Sequence, residues 1–195
     1  MEDIIVRVAT EEDEQFAKII TDEMEASAKV RGTGIAKRSP AAIIEKIREG
    51  KAVIAVTTGN TWVGFSYIEI WSNGEFVSNS GLIVNPAFRE RGVASAIKQR
   101  IFKLSRKKYP AAKIFSITTG LAIMRMNSRL GFEPVTYNEI TYEERFWSAC
   151  KSCPNYHILE SKSFKNCMCT AMLYMPKGST DKYNFFEKHD TAVVR

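Results

Sequence analysis

Several signatures of common protein classes are missing from this chain of 195 residues. No apolar run approaches the length of a membrane-spanning helix, so we predict no membrane partner. The N-terminus, Met-Glu-Asp, is acidic and lacks the basic-then-apolar layout of a secretory signal. Neither Gly-x-Gly-x-x-Gly nor Gly-Lys-Ser/Thr occurs, which excludes the usual dinucleotide and P-loop patterns. We therefore expect a cytoplasmic protein.

The composition favours one globular domain with a proper core, since 45% of the residues are hydrophobic and 26% are charged. The net charge of +6 is a mild excess, and part of it gathers on one predicted helix, at Lys98, Arg100, Lys103, Arg106, Lys107 and Lys108. An anionic cofactor, a nucleic acid or plain solvation explains such a cluster. Because no recognition-helix pattern or aromatic-interleaved basic strand accompanies it, we predict no nucleic-acid partner.

Hydrophobic periodicity predicts an alternation of strands and helices. The strands are expected at 4–8, 52–57, 62–71, 76–84, 113–118, 135–142 and 170–175. The helices are expected at 11–27, 40–49, from residue 93 onward, and at 121–130. The three strands between 52 and 84 follow one another as an antiparallel meander. The predicted fold class is α+β, with a mixed, mostly antiparallel central sheet flanked by helices and followed by a cysteine-rich C-terminal extension.

The connection after the strand that ends at residue 84 has the features of an anion site. The apolar triplet Leu82, Ile83 and Val84 leads through Pro86 into the loop and helix start Arg89, Glu90, Arg91, Gly92, Val93 and Ala94. Small residues let a ligand approach the backbone, and the unpaired N–H groups at a helix N-terminus attract anions. Strand, small-residue turn and helix together suit a pyrophosphate.

This arrangement resembles the coenzyme A-binding motif of the GCN5-related N-acetyltransferases (GNAT family), Gln/Arg-x-x-Gly-x-Gly/Ala after a strand. Arg89, Gly92 and Ala94 match it, and the order of elements from about residue 3 to residue 142 is similar to the family's fold. The resemblance implies an acetyl-coenzyme A-dependent N-acyltransferase. It places the pantetheine arm and acyl carbonyl at 82–84 and the pyrophosphate on the amides of 89–94.

The resemblance also directs attention to two catalytic positions. The family's general acid, a tyrosine four residues before the Gly of "Gly-Phe", corresponds here to Asn127, which has no proton to give at a useful pH. Glu69, on a strand rich in Trp, Tyr, Phe and Ile, is the first candidate for the base, because partial burial raises a carboxyl pKa. An outward-pointing Glu69 without a catalytic role is the alternative. His157 and His189 are weaker candidates.

The acceptor is addressed by a second, shorter resemblance. The stretch around Lys37 and Arg38 before the helix at 40–49 looks like the corresponding segment in the acyltransferase domain of N-acetylglutamate synthases. Two cations beside the acceptor cleft suit carboxylates, and Arg binds them with two parallel hydrogen bonds. The α-amino group of glutamate is therefore a candidate acceptor. A basic loop without a ligand is the alternative.

All four cysteines lie after residue 149, as Cys150, Cys153, Cys167 and Cys169. A Cys-x2-Cys and a Cys-x-Cys separated by a short loop have the spacing of a structural zinc site. Buried free thiols and disulfides are the alternatives.

We expect an acyltransferase domain at 1–142 and, packed on it, a cysteine-rich extension at 143–195 with a frayed tail. The predicted partner is a small-molecule amine. A protein or peptide N-acetyltransferase and a non-catalytic coenzyme A-binding module remain alternatives, and an exposed edge strand after residue 142 leaves a homo-oligomer open.

Overall fold

The computed structural model describes residues 2–32 and 38–176. Its strands are β1 (Ile4–Val8), β2 (Ala52–Thr57), β3 (Trp62–Trp71), β4 (Phe76–Val84), β5 (Lys113–Thr118), β6 (Glu133–Val135) and β7 (Thr170–Tyr174). Its α-helices are α1 (Ala17–Arg31), α2 (Pro40–Arg48), α3 (Val93–Lys108), α4 (Leu121–Arg129), α5 (Glu144–Ser148) and α6 (Tyr156–Ser161). Within these ranges no helix combines the length and hydropathy needed to cross a bilayer.

The strands form one seven-stranded sheet in the order β1-β2-β3-β4-β5-β7-β6. Every neighbouring pair is antiparallel except β4 and β5, which run parallel. The predicted mixed, mostly antiparallel sheet with flanking helices is thereby confirmed. The strand contributed by the C-terminal segment, β7, lies inside the sheet between β5 and β6.

Alternation along the strands divides the core between the two faces of the sheet. On one face, Ile54 of β2 and Phe65 of β3 pack with buried residues of α1 and α2, such as Ile20 and Ile43. On the other face, the neighbouring strand residues pack against Ile97 and the other buried residues of α3. The sheet is therefore covered on both faces, and its central strands read as continuous apolar runs.

A third, aromatic-rich cluster joins the segment after residue 142 to the sheet. Trp71 and Phe115 each meet the ring of Phe146 edge-on, with ring centroids 5.1 Å apart in both pairs. Trp71 follows Phe65 along β3 by an even number of residues, which places this cluster on the face that α1 and α2 cover. Aromatic packing thus holds the C-terminal segment beside the two N-terminal helices.

Three sequence-based expectations differ from the structure. The helix expected at 11–27 begins as a 3-10 turn at Glu11–Phe16, where Asp13 accepts from Arg7 and from the backbone of Thr10. The long strand expected at 135–142 is reduced to β6, because Glu139 accepts the backbone N–H of Thr136 and closes a 3-10 turn. The strand expected to be an exposed edge is internal, paired on both sides. The predicted frayed tail lies outside the described residues.

Candidate functional site

The centre of the sheet opens between its two parallel strands. β4 and β5 pair only from Phe76 to Ser78, although β4 continues to Val84. Beyond Ser78 no strand of the described chain pairs with β4 on its β5 side. Asn85 donates its backbone N–H to Val63 O on β3, so strand alternation turns the N–H of Val84 into this gap. The V-shaped gap exposes backbone polar groups in the middle of an otherwise complete sheet.

The loop between β4 and α3 presents a row of amides to solvent at the mouth of this gap. In the described chain, no backbone N–H from Glu90 to Ala94 donates to a backbone carbonyl, whereas the N–H of Arg89 reaches Pro86 O at 3.3 Å. Glu90 and Gly92 both have left-handed backbones, with φ of 64° and 78°. Left-handed residues alternating with right-handed ones gather successive N–H groups into an anion-binding concavity. The helix N-terminus adds its own positive potential there.

The side chain of Arg89 is exposed, and it also bonds to two other elements of the protein. Its guanidinium donates to Val84 O at 3.2 Å, to Ser27 Oγ at 2.8 Å and to Glu23 Oε1 at 3.0 Å. Arg89 therefore ties the anion loop both to the end of β4 and to α1. These bonds use Nε and Nη2 of Arg89 and leave the N–H groups of Nη1 for other acceptors. Glu23 and Ser27 are positioning residues that the sequence pattern did not single out.

A β-bulge at Gly81 shapes the wall of the gap. The register between β3 and β4 shifts here, and Gly81 has a φ of 64°. A Cβ at this position would lie 2.4 Å from Cε1 of Tyr67 and 2.9 Å from Cε of Met24, so only glycine fits. An isolated glycine inside a strand pattern is the sequence signal for such a bulge.

A polar strip, formed by Lys46, Glu69, Arg38, Tyr67, Ser78 and Ser80, crosses the face of the sheet that α1 and α2 cover. It lies between the two hydrophobic clusters on that face. Glu69 of β3 pairs with Lys46 of α2 across 3.1 Å, and both side chains are mostly buried. Burial lowers the pKa of Lys46, but the hydrogen bond and charge of Glu69, helped by Glu49, outweigh it and raise this pKa above its ordinary value. Glu69 thus faces α2 and not the solvent, where it pairs with Lys46.

Arg38 extends the same strip toward the loop between α1 and α2. Its Nε donates to the Oη of Tyr67 at 2.5 Å, and Tyr67 is 1% exposed. Burial raises the pKa of Tyr67. The predicted substrate residue Arg38 thus contacts Tyr67, which precedes the predicted base Glu69 by two residues on β3 and lies on the same face of the sheet. Lys37, the other predicted substrate residue, lies outside the described residues.

On β4, the strip continues as a chain of hydroxyl groups. Ser78 Oγ accepts from Trp71 Nε1 at 2.9 Å and lies 2.9 Å from Ser80 Oγ. Ser66 donates to Ser80 O at 2.9 Å. Polar groups therefore replace the apolar core beside Gly81, where the sheet opens.

Asn127 occupies a closed position on α4. It is fully buried, and its Nδ2 points to the sulfur of Met172 at 3.6 Å. Its Oδ1 has no hydrogen-bond partner in the described parts of the chain. The amide therefore faces the sheet under α4, and the side chain offers no proton to a leaving thiolate.

None of the four cysteines forms a disulfide, and all four are half-buried. Cys167 Sγ accepts from the N–H of Cys169 at 3.3 Å and lies 2.7 Å from Tyr137 Oη, so it faces these donors. Within residues 2–32 and 38–176, no group of three or more His, Cys, Asp or Glu side chains is arranged to hold a metal ion. The zinc site predicted at Cys150, Cys153, Cys167 and Cys169 is therefore not supported.

No protein-family model and no curated protein matches this sequence. Solved structures do match. Mycobacterium tuberculosis Rv2747, in complex with coenzyme A, is 18% identical with a TM-score of 0.61, over 88% of this chain and 98% of that one. A Staphylococcus aureus acetyltransferase of the GNAT family is 11% identical with a TM-score of 0.59, over 90% of this chain and 100% of that one.

N-acetylglutamate synthase from Neisseria gonorrhoeae, complexed with coenzyme A and N-acetylglutamate, is 14% identical with a TM-score of 0.62. The match covers 90% of this chain and 36% of the synthase, so this chain spans about a third of that protein. This chain has the fold of the GCN5-related N-acetyltransferases.

Proposed function

We propose that this protein transfers an acyl group, with acetyl as the first candidate, from coenzyme A to the amine of a small molecule. The observation that carries the proposal is the unpaired row of amides from Glu90 to Ala94 beside the opening between β4 and β5. A diphosphate has the charge and the acceptor oxygens to satisfy such a row. Structural relatives from Mycobacterium tuberculosis and Neisseria gonorrhoeae contain coenzyme A, which supports the same ligand here.

In this proposal the opened strand holds the thioester. With the diphosphate on the loop, the pantetheine arm follows the edge of β4 at Leu82, Ile83 and Val84. The N–H groups of this segment then serve the pantetheine amides and the acyl carbonyl, whose oxygen becomes negative when the amine attacks. Holding both reactants in one cleft supplies much of the acceleration, because direct transfer needs only proximity, a proton acceptor and oxyanion stabilisation.

Glu69 is the proposed base for the attacking ammonium. It lies on the α2 side of β3 and is mostly shielded from solvent, beside Lys46. The pair with Lys46 gives the carboxylate a fixed position. The side chain of Asn127 has no acidic proton. The leaving thiolate is therefore protonated by water, or by Glu69 with the proton that Glu69 took from the ammonium.

The proposed acceptor carries a carboxylate, and glutamate is the leading candidate. Arg38 lies on the strip that leads to Glu69, and its orientation is set by Tyr67. Lys37 is the neighbouring cation in the sequence. The synthase from Neisseria gonorrhoeae, which has N-acetylglutamate in its structure, supports this class of acceptor.

The test is thiol release from acetyl-coenzyme A with a panel of amino acids, glycine and simple amines. We expect turnover that is at least tenfold faster with glutamate than with glycine, and a tenfold higher KM for glutamate in Arg38→Ala. Arg48→Ala, a surface arginine paired with Glu14, is the matched control. Equal turnover with glutamate and glycine, together with an unchanged Arg38→Ala, would reject the carboxylate acceptor.

Two alternatives are distinguished by the same preparation. A protein or peptide N-acetyltransferase would transfer to peptide N-termini and not to free amino acids. A non-catalytic module would bind coenzyme A in calorimetry and transfer to no amine.

A further inference from the structure

One lysine of the basic helix α3 is buried. Lys98 is 2% exposed, while Arg100, Lys103, Lys107 and Lys108 on the same helix are exposed. Lysine is almost never fully buried unless its charge is paired, because transfer of an ammonium out of water is unfavourable. The position of Lys98 therefore calls for an anion.

The protein itself supplies no such anion in its described parts. Lys98 makes no ion pair and no hydrogen bond there, and its ammonium lies 5.4 Å from the centre of the Phe132 ring. Burial lowers the pKa of Lys98 to about 8, with no charged neighbour to offset it. An aromatic face compensates a buried cation only in part.

A small cavity lined in part by Lys98 lies between α3 and α4. Its volume is about 90 Å³, and it is lined by Ser95, Lys98, Gln99, Met126, Arg129 and Leu130. The lining combines two cations with a hydroxyl and an amide, and it contains no carboxylate. Arg129 is exposed at the rim, where its planar fork suits an oxyanion with several oxygens.

We propose that this cavity is a phosphate-binding site and that its ligand is the 3′-phosphate of coenzyme A. The choice of ligand rests on the proposed function; the site itself rests on the buried cation and the cavity. Lys98 follows the N-terminal residue of α3 by five residues, or about 8 Å along a helix that rises 1.5 Å per residue. The diphosphate at the start of α3 is joined to the 3′-phosphate through one ribose, which matches a second phosphate site slightly farther along the same helix.

The experiment compares coenzyme A with 3′-dephospho-coenzyme A by calorimetry, using the full chain. Lys98→Met keeps the length of the side chain and removes the charge, and Lys103→Met on the exposed side of α3 is the matched control. We expect the wild type and Lys103→Met to bind coenzyme A at least tenfold more tightly than the dephospho form. In Lys98→Met this preference should disappear, while affinity for the dephospho form stays within twofold.

A second arm uses inorganic phosphate alone and reads the melting temperature. If coenzyme A and its dephospho form bind the wild type equally, but phosphate stabilises the wild type and not Lys98→Met, the site stands and its ligand is free phosphate. If Lys98→Met changes neither the preference nor the response to phosphate, the proposal is overturned. Failure of the wild type to bind coenzyme A at all would reject the proposed function, and the phosphate arm would still decide the site.

Folding of the variant does not confuse the result. Replacing an unpaired buried charge by an apolar side chain of similar volume is expected to stabilise the protein, so Lys98→Met should melt at or above the wild-type temperature.

Discussion

Arg38 and Tyr67 are joined across the cleft by a hydrogen bond of 2.5 Å, from the guanidinium Nε to a hydroxyl that is otherwise enclosed in the core. The buried phenol of Tyr67 thus provides a fixed hydrogen-bond acceptor for Arg38, which lies at the end of the connection between α1 and α2. Because Tyr67 also packs against Gly81, the same ring connects the acceptor side of the cleft to the bulge in β4. A single buried tyrosine therefore aligns the two halves of the proposed site.

Tyr67→Phe should separate positioning from chemistry. The ring stays in place and only the hydroxyl is lost, so we expect a three- to tenfold higher KM for the acceptor and a kcat within twofold of wild type, since one hydrogen bond contributes about 1 kcal/mol. Steady-state kinetics with glutamate provide the measurement. A large loss of kcat with unchanged KM would mean that the hydroxyl takes part in the reaction instead.

Glu69→Gln should lower kcat by at least a hundredfold if this carboxylate accepts the proton, because general bases contribute about 10²–10⁴ in rate. Glu49→Gln is the matched control, since Glu49 also pairs with Lys46, at 3.6 Å, but lies on the outer side of the strip. Equal effects of the two substitutions would assign Glu69 to the charge balance around Lys46 and not to catalysis.

Gly92→Ala should weaken coenzyme A binding more than it weakens the fold. Gly92 has a φ of 78° with open space around its Cβ position, so alanine costs about 1–2 kcal/mol in backbone strain and no steric overlap within the protein. Gly74, with a φ of 91° and equally open space, provides a control for that strain away from the loop. We expect both alanine variants to lose similar stability in urea, and only Gly92→Ala to lose tenfold or more in affinity for coenzyme A.

The stability of the ligand-free protein should rise between about pH 8 and pH 10.5 relative to Lys98→Met. The pKa of Lys98 is lowered to about 8 from an ordinary 10.5, so in this range the unfolded chain binds more protons than the folded one, and stability increases with pH. Below pH 8 the full penalty is present, about 3 kcal/mol at 1.36 kcal/mol per pKa unit. Urea unfolding of both proteins across this range measures the difference. If the free energy of unfolding changes with pH in the same way for both proteins, Lys98 is not buried as a charged group.

Cys167 should react with iodoacetamide at lower pH than Cys150. Hydrogen bonds from Cys169, from Tyr137 and from the backbone lower the pKa of Cys167, whereas burial and neighbouring thiols raise that of Cys150 to about 11. At pH 6.5 we expect mass spectrometry to find several-fold more label on Cys167, and Tyr137→Phe to reduce this lead. Equal labelling of both residues at pH 6.5 would contradict the assignment.

Local sequence signals predicted most elements because local chemistry decides them. Ser39 accepts from the N–H of Ala42 with Pro40 at the first helical position, and both residue types are typical of a helix start. The bounds of β2, β3, β4 and β5 agree with the apolar runs that predicted them. Where a side chain competes for the backbone, as Glu139 does after β6, the apolar pattern alone predicted a strand that is too long.

The candidate site was predictable only in part. The anion loop is contiguous in the sequence, so its residue types and spacing were enough to find it. Glu23, Ser27 and Tyr67 are separated from the loop by many residues, and no spacing rule connects them. Lys98 read as one member of an exposed basic cluster, because periodicity does not say which residue of a helix faces a second helix.

The sequence by itself determined the alternation of strands and helices, the amide-rich loop and the family that this loop resembles, since those depend on neighbours along the chain. Only the tertiary structure decided that β7 inserts beside β5, that Glu69 turns toward Lys46 and that Lys98 is enclosed under α4. These features depend on contacts between segments that are distant in the sequence. Burial removes the hydration of the charged groups there, so the contacts decide that Glu69 is paired and that Lys98, in the described parts of the chain, is not.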